Sequence, residues 1–201
     1  MVLYCILLRM RIIAGTKRGM NLFSPPTYES RPITDRVKES LFNILWNYGF
    51  PKDKIVADLF CGVGSLGLEA LSRGAEFVTF IEKNLKIAAV LKRNIKKAGF
   101  VRESKVITAD AFKIGAPVAT GRKKYDLIFV DPPYAAVTVT EKGSTLAALL
   151  DILAEQLAPA SFAVVRTSKH VQLTDSYGPL HSIERRDWGT MAITILQIQN
   201  R

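Results

Sequence analysis

Four consecutive residues, Asp131-Pro132-Pro133-Tyr134, combine an acid, two rings that lack a backbone N–H, and an aromatic face. They follow Tyr125-Asp126-Leu127-Ile128-Phe129-Val130, a mostly apolar, β-prone run suited to a buried parallel strand. Two prolines end such a strand abruptly and leave backbone carbonyls without ladder donors. A carboxylate and a free carbonyl can together accept both N–H bonds of a flat exocyclic amine, while a tyrosine stacks on its base. Such an amine is a poor nucleophile because its lone pair is delocalised into the ring. Hydrogen bonds from its two hydrogens to Asp131 and the Pro132 carbonyl favour the pyramidal nitrogen of a transition state that gathers positive charge. Tyr134 would hold the base in line for attack. The chemistry implied is methyl transfer onto nitrogen.

A second constellation lies upstream. Asp58-Leu59-Phe60-Cys61-Gly62-Val63-Gly64-Ser65-Leu66-Gly67 follows a buried run and opens a helix. Glycines there let the chain turn sharply and let a ligand approach the backbone. Gly62, Gly64 and Gly67 match the GxGxxG spacing, so on their own they leave a dinucleotide open. Glu82 ends the next strand, where a carboxylate can take both ribose hydroxyls. Asp110 follows the third strand at a height suited to an adenine amino group, although it is also placed to cap a helix. Phe112 can line the adenine face, with Phe60 in the turn itself. Asp58 offers a carboxylate to a cationic amino acid tail and would repel a pyrophosphate. With the later DPPY, that favours S-adenosylmethionine as the cofactor.

These residues need a sheet to hold them on one edge. After Lys54 the pattern alternates, with strands expected at 55–60, 77–81, 105–108, 125–130 and 162–166, and helices at 65–72, 84–98 and 144–157. Alternation with short connections means a parallel sheet covered on both faces. Residues 181–186 and 191–197, separated by Asp187-Trp188-Gly189-Thr190, read as a closing antiparallel pair. Upstream, residues 11–23 read as two short strands around Gly15-Thr16-Lys17-Arg18-Gly19. A helix is expected from Thr34 or Asp35, through Val37, Leu41 and Tyr48, to Gly49 and Pro51. The expected division is an extension at 1–9, a hairpin and helix at 10–53, and a catalytic domain at 54–201.

The bulk numbers fit one ordinary domain. The 201 residues are 48% apolar, and 28 basic against 18 acidic residues give a formal charge of +10, which suits a polyanionic partner. Basic charge alone would suit an anionic membrane surface as well, but the apolar run at 1–8 ends at Arg9 and Arg11 and is far too short to span a bilayer. Cys5 and Cys61 form no paired pattern, which fits a reducing, cytoplasmic setting. Neither is placed for the thiolate attack that carbon methylation of a pyrimidine requires. His170 and His181 stand alone, without a metal-ligand cluster.

Three blocks, Arg31-Pro32-Ile33-Thr34-Asp35-Arg36-Val37-Lys38-Glu39-Ser40-Leu41-Phe42-Asn43-Ile44-Leu45, the stretch from Asp58 to Ala75, and that from Asp126 to Tyr134, closely resemble the bacterial RsmD family. The resemblance runs from Met10 to the C-terminus. It implies a Rossmann-like α/β class I methyltransferase fold, with a mostly parallel seven-stranded sheet, a C-terminal antiparallel pair and a short N-terminal hairpin and helix. It also implies methylation of guanine 966 at N2 in 16S rRNA, within an assembling or assembled small ribosomal subunit, by a monomer that uses no membrane. Asp58, Gly62, Gly64, Glu82 and Asp110 would then surround the cofactor, and Asp131, Pro132 and Tyr134 would address the guanine. Cys61 stands where the family usually has alanine, and Arg186-Asp187-Trp188-Gly189-Thr190 is a divergent form of the family's arginine–tyrosine–glycine run.

Lys17, Arg18, Arg31, Arg36 and Lys38 precede the sheet and are expected to reach phosphates flanking a flipped base; Arg31 has a second possible role in supporting the active-site loop. Lys86, Arg93 and Lys97, opposite the apolar face of the helix at 84–98, read instead as a solvated stripe. DNA adenine-N6 and cytosine-N4 enzymes share the DPPY logic. They need a target-reading insertion that no segment here is long enough to supply, whereas an RNA can offer its own shape.

Overall fold

The computed structural model describes residues 10–24, 33–118 and 123–199. Five strands carry the alternating pattern as parallel neighbours: β1 (Ile55–Leu59), β2 (Phe77–Ile81), β3 (Ser104–Ile107), β4 (Tyr125–Val130) and β5 (Leu157–Ser168). Three more are antiparallel: β6 (Ser176–Tyr177), β7 (Leu180–Trp188) and β8 (Met191–Ile198). The order across the sheet is β3-β2-β1-β4-β5-β8-β7-β6. Seven strands therefore have full length, with β7 and β8 as the closing pair. The two-residue β6 adds an eighth at the edge.

Both sheet faces are covered, which is why the central strands are apolar almost throughout. On one face Val56, Val78, Leu127, Phe129 and Val164 join a core that includes helices α1 (Asp35–Asn47), α2 (Ser65–Ser72) and α3 (Leu85–Ala98). On the other, Ala57, Leu59, Ile128, Val130 and Val165 meet the short α4 (Ala111–Ile114) and the apolar side of α5 (Thr145–Gln156). The helix starts follow capping chemistry. Asn84 accepts the Lys86 N–H at 2.9 Å and Ser144 accepts that of Ala147 at 3.1 Å. Helix α1 buries Val37, Leu41, Phe42 and Leu45, with the Phe42 ring 5.8 Å from that of Phe129.

Residues 10–24 form a hairpin laid along α2 and α3 rather than two regular strands. Ile12 donates to the Met20 carbonyl at 2.9 Å and Leu22 to that of Met10 at 2.8 Å, with one ladder bridge, Arg11–Asn21. The buried Glu69 accepts the N–H groups of Ile13 (2.8 Å) and Ala14 (3.0 Å). Ser72 accepts the Lys17 N–H at 2.9 Å. The open end of the hairpin therefore lies by the start of α2 and its turn by the end of that helix. Arg93 and Lys97, expected as a solvated stripe, lie over the Phe23 ring at 4.4 and 4.8 Å.

Candidate active site

The strand order reverses between β1 and β4, because β1 continues outward through β2 while β4 continues through β5. A crevice opens at such a point beyond the C-terminal ends of the strands. Register aligns the exits: Leu59 pairs with Val130, and the Asp131 N–H points to the Leu59 carbonyl at 3.5 Å. The glycine turn after β1 and the DPPY turn after β4 thus leave the sheet side by side. Between them lies a cavity of about 550 Å³ lined by Asp58, Phe60, Gly62, Glu82, Asp131 and Arg166, among others.

On the glycine side, Phe60 (φ 56°), Gly62 (φ 55°) and Gly64 (φ 89°) adopt the left-handed backbone that turns the chain from strand into helix. A Cβ on Gly62 would meet nothing within 4 Å, so this backbone is open to a ligand. Gly67 does another job: a Cβ there would come within 2.3 Å of the Phe80 ring, so this glycine lets α2 sit close on β2. The Asp58 carboxylate accepts the Gly67 N–H at 2.8 Å and is almost wholly buried. Burial, with Asp131 and Glu82 nearby, pushes its carboxyl up to about 8 against the pull of the Gly67 N–H. Glu82 accepts the N–H groups of Gly62 at 3.0 Å and Asn84 at 2.8 Å, which fixes it at the end of β2. Burial also raises the Cys61 thiol well above its ordinary range.

Asp110 and Phe112 are set back from the cavity, whose wall here is Ala109 and Ala111. Asp110 caps α4 by accepting the Phe112 N–H at 3.0 Å, so the helix-capping alternative describes one of its oxygens. The Phe112 ring packs on Phe60 with centroids 4.7 Å apart and so supports a lining residue.

At the reacting end, Asp131 and Pro133 line the same cavity, while Pro132 is buried. Tyr134 opens a short 3₁₀ turn between lining residues Pro133 and Ala135. Its ring is half-buried against the core, 5.7 Å from the Arg166 guanidinium carbon, just behind the cavity wall. Arg166 is the residue that the sequence reading missed. Val130 pairs with Val165, so Asp131 and Arg166 follow at the same level on adjacent strands. They form an ion pair, Nε to Oδ1, at 2.5 Å, with side chains 6% and 19% exposed. Burial pushes the Asp131 carboxyl above the ordinary carboxylate range, and Arg166 opposes that shift. A charge directly after the apolar run Phe162–Val165 was the available signal.

The expected phosphate contacts divide. Arg36 is exposed on the first turn of α1, close to Ile33, which lines the cavity. Lys38 is corrected: it is 1% exposed, with its ammonium donating to the Arg11 carbonyl at 2.6 Å and to Ser65 at 3.2 Å and lying 3.7 Å from Glu69. Burial lowers its pKa, with Glu69 opposing. It is a structural cation. Lys17 and Arg18 stand apart from the cavity wall. They occupy the hairpin turn at the far end of α2, roughly 10 Å from its start at 1.5 Å per residue. The Lys17 ammonium lies over Phe100, past the end of α3. Arg31 lies outside the described residues. Exposed Lys83, not anticipated, lines the cavity.

The wall suits a cationic, adenosine-bearing ligand: three carboxylates, an open glycine backbone and apolar Phe60 and Ile81. Among the described residues no group of three or more His, Cys, Asp or Glu side chains is arranged to hold a metal. Nor is any helix there long and apolar enough to cross a membrane. Fold and site define a class I methyltransferase that uses S-adenosyl-L-methionine.

Comparison with known proteins narrows the class. The family described as "Conserved hypothetical protein 95" matches residues 10–197. "Putative rRNA methyltransferase YlbH" of Bacillus subtilis is 34% identical over 188 residues, covering 92% of this chain and 97% of its own. "Ribosomal RNA small subunit methyltransferase D" of Escherichia coli K12 is 40% identical over 128 residues, 63% of this chain and 61% of its own length. The solved structure of "Putative methyltransferase yhhF from Escherichia coli" superposes with a TM-score of 0.78 at 29% identity, covering 96% of this chain and 99% of the other. The chain belongs to the RsmD family.

Proposed function

We propose that this chain methylates the exocyclic N2 amine of a guanine in 16S rRNA, the position equivalent to guanine 966, within a small ribosomal subunit. The observation that carries the reading is that the Asp131 carboxylate opens into the same cavity as Asp58, Gly62 and Glu82. An RNA substrate is supported by the Bacillus and Escherichia relatives, both named as ribosomal RNA methyltransferases.

The bound cofactor supplies an electrophilic methyl group on a sulfonium. The chain's own residues do the rest. Asp58 holds the cationic amino acid tail, Glu82 takes the ribose hydroxyls, and the backbone at Gly62 allows close approach, while Gly64 turns the chain with Leu91 and Leu68 packed against it. Phe60, with Phe112 packed behind it, gives the adenine side an apolar wall beside Asp110. Asp131 and the Pro132 carbonyl accept the two N–H bonds of the amine, and these bonds tighten as the nitrogen becomes positive. Tyr134 gives the base an aromatic neighbour. Asp131 or water then takes the proton that the methylated nitrogen must lose.

The test offers the protein three acceptors with radiolabelled cofactor: small subunits from cells lacking this gene, naked 16S rRNA and duplex DNA. Mass mapping should find N2-methylguanine in RNA alone. Label at adenine N6 or cytosine N4 of DNA would overturn the reading.

A further inference from the structure

We propose that Arg166 is a positioning residue for this transfer: it grips one oxygen of Asp131 and leaves the other to accept an N–H of the amine. The inference rests on the function proposed above and adds a part to the same site.

Three observations carry it. First, Asp131 leaves β4 at the level of Arg166 within β5, so the pairing is built into the register of the two strands. Second, Arg166 directly follows the apolar run Phe162–Val165 and is itself buried, where a guanidinium is costly to desolvate. Third, Arg166 lines the cavity and has its guanidinium carbon 5.7 Å from the Tyr134 centroid, so it borders both the acid and the aromatic of DPPY.

The charges around Asp131 explain the use of a cation here. Asp58 at the end of β1 and Glu82 after β2 share its cavity, with Lys83 and Arg166 as the cations of that wall. Burial draws the Asp131 carboxyl towards its protonated form, which donates a hydrogen bond where the amine needs an acceptor. Arg166 opposes this, as its effect on the Asp131 titration indicates. A guanidinium facing the amine directly would resist the positive charge that develops there. Held on Asp131, it aims the acid instead.

The experiment compares Arg166→Met and Arg166→Lys with the wild-type chain, using whichever acceptor the wild type methylates. The acid limb of kcat/KM for Arg166→Met should move up by about one pH unit or more, the size expected when an arginine partner is removed. Activity below the limb should fall about tenfold per unit moved and recover at alkaline pH. Arg166→Lys should keep the limb near that of the wild type, with a lower plateau. A substrate-free readout runs beside it: the ¹³C carboxyl titration of Asp131, assigned with Asp131→Asn, should shift upward in Arg166→Met. A loss of equal size at every pH, or an unmoved Asp131 titration, would overturn the proposal. Because that titration needs no acceptor, failure of the proposed substrate is distinguishable from failure of the Arg166 assignment.

Discussion

Asp58 and Gly67 are joined by one hydrogen bond, from the helix backbone to the buried carboxylate, at 2.8 Å. The bond ties the end of β1 to the first turn of α2, so the acid that faces the cofactor cavity and the glycine that seats the helix move together. Each has a separable consequence.

The Asp58 carboxyl is raised from 3.8 to about 8, mainly by burial. The folded protein therefore keeps a proton that the unfolded chain releases. This contribution to the stability of the cofactor-free protein is full below about pH 4 and is lost as pH rises through about 8. Binding a cationic tail favours the ionised acid, so the sign reverses for affinity. S-Adenosylhomocysteine, which retains that tail, should bind up to about tenfold more tightly per pH unit until the pH reaches about 8, releasing a proton. Calorimetry in buffers of different ionisation enthalpy checks this. Asp58→Asn should bind weakly at every pH and show no proton release.

Gly67→Ala should act on packing. The new methyl would stand 2.3 Å from a Phe80 ring carbon and 2.9 Å from Val78, both on β2. Overpacking of this kind costs about 1–3 kcal/mol, measurable by urea unfolding. Gly62→Ala meets open space but a left-handed backbone. It should cost about 1 kcal/mol in stability and weaken cofactor binding by more than the stability change alone would suggest.

Glu69 anchors the hairpin through two backbone N–H groups and the cations Arg73 (2.7 Å) and Lys38 (3.7 Å), with no exposed side-chain surface of its own. Glu69→Ala should destabilise the protein by about 3–5 kcal/mol, because it leaves buried donors and charge uncompensated. Lys38→Met should cost about 1–3 kcal/mol through the lost bonds to Arg11 and Ser65. Its affinity for RNA, measured at a temperature where it stays folded, should equal that of the wild type.

The parallel strands were legible because strands buried on both faces read as continuous apolar runs, as in Leu127–Val130 of β4. The glycine turn and DPPY were legible because their chemistry lies in consecutive residues. Arg166 was not, since its partner is set by the register of two strands far apart in sequence. Lys38 and Glu69 resembled surface residues on amphipathic helices, and only the hairpin packed over them makes them interior. The hairpin's direction was hidden for the same reason, and with it the place of Lys17 and Arg18 at the far end of α2. Asp110 showed both possible roles in its position, and the side-chain bond to Phe112 accounts for one oxygen.

That placement makes a comparison among exposed cations decisive for where an RNA backbone runs. Arg36, near cavity-lining Ile33, and Lys83, on the cavity wall itself, stand at the active end of the sheet. Arg18, also exposed, stands by the far end of α2. A cation that neutralises a phosphate releases a counterion, so removing it should weaken binding and reduce the slope of log K against log salt by about 1. Arg36→Gln and Lys83→Gln should each show that change with an rRNA stem-loop in filter binding at several salt concentrations. Arg18→Gln should leave both affinity and slope unchanged within error. An Arg18 effect as large as that of Arg36 would mean that the RNA continues down the hairpin to the opposite edge of the sheet.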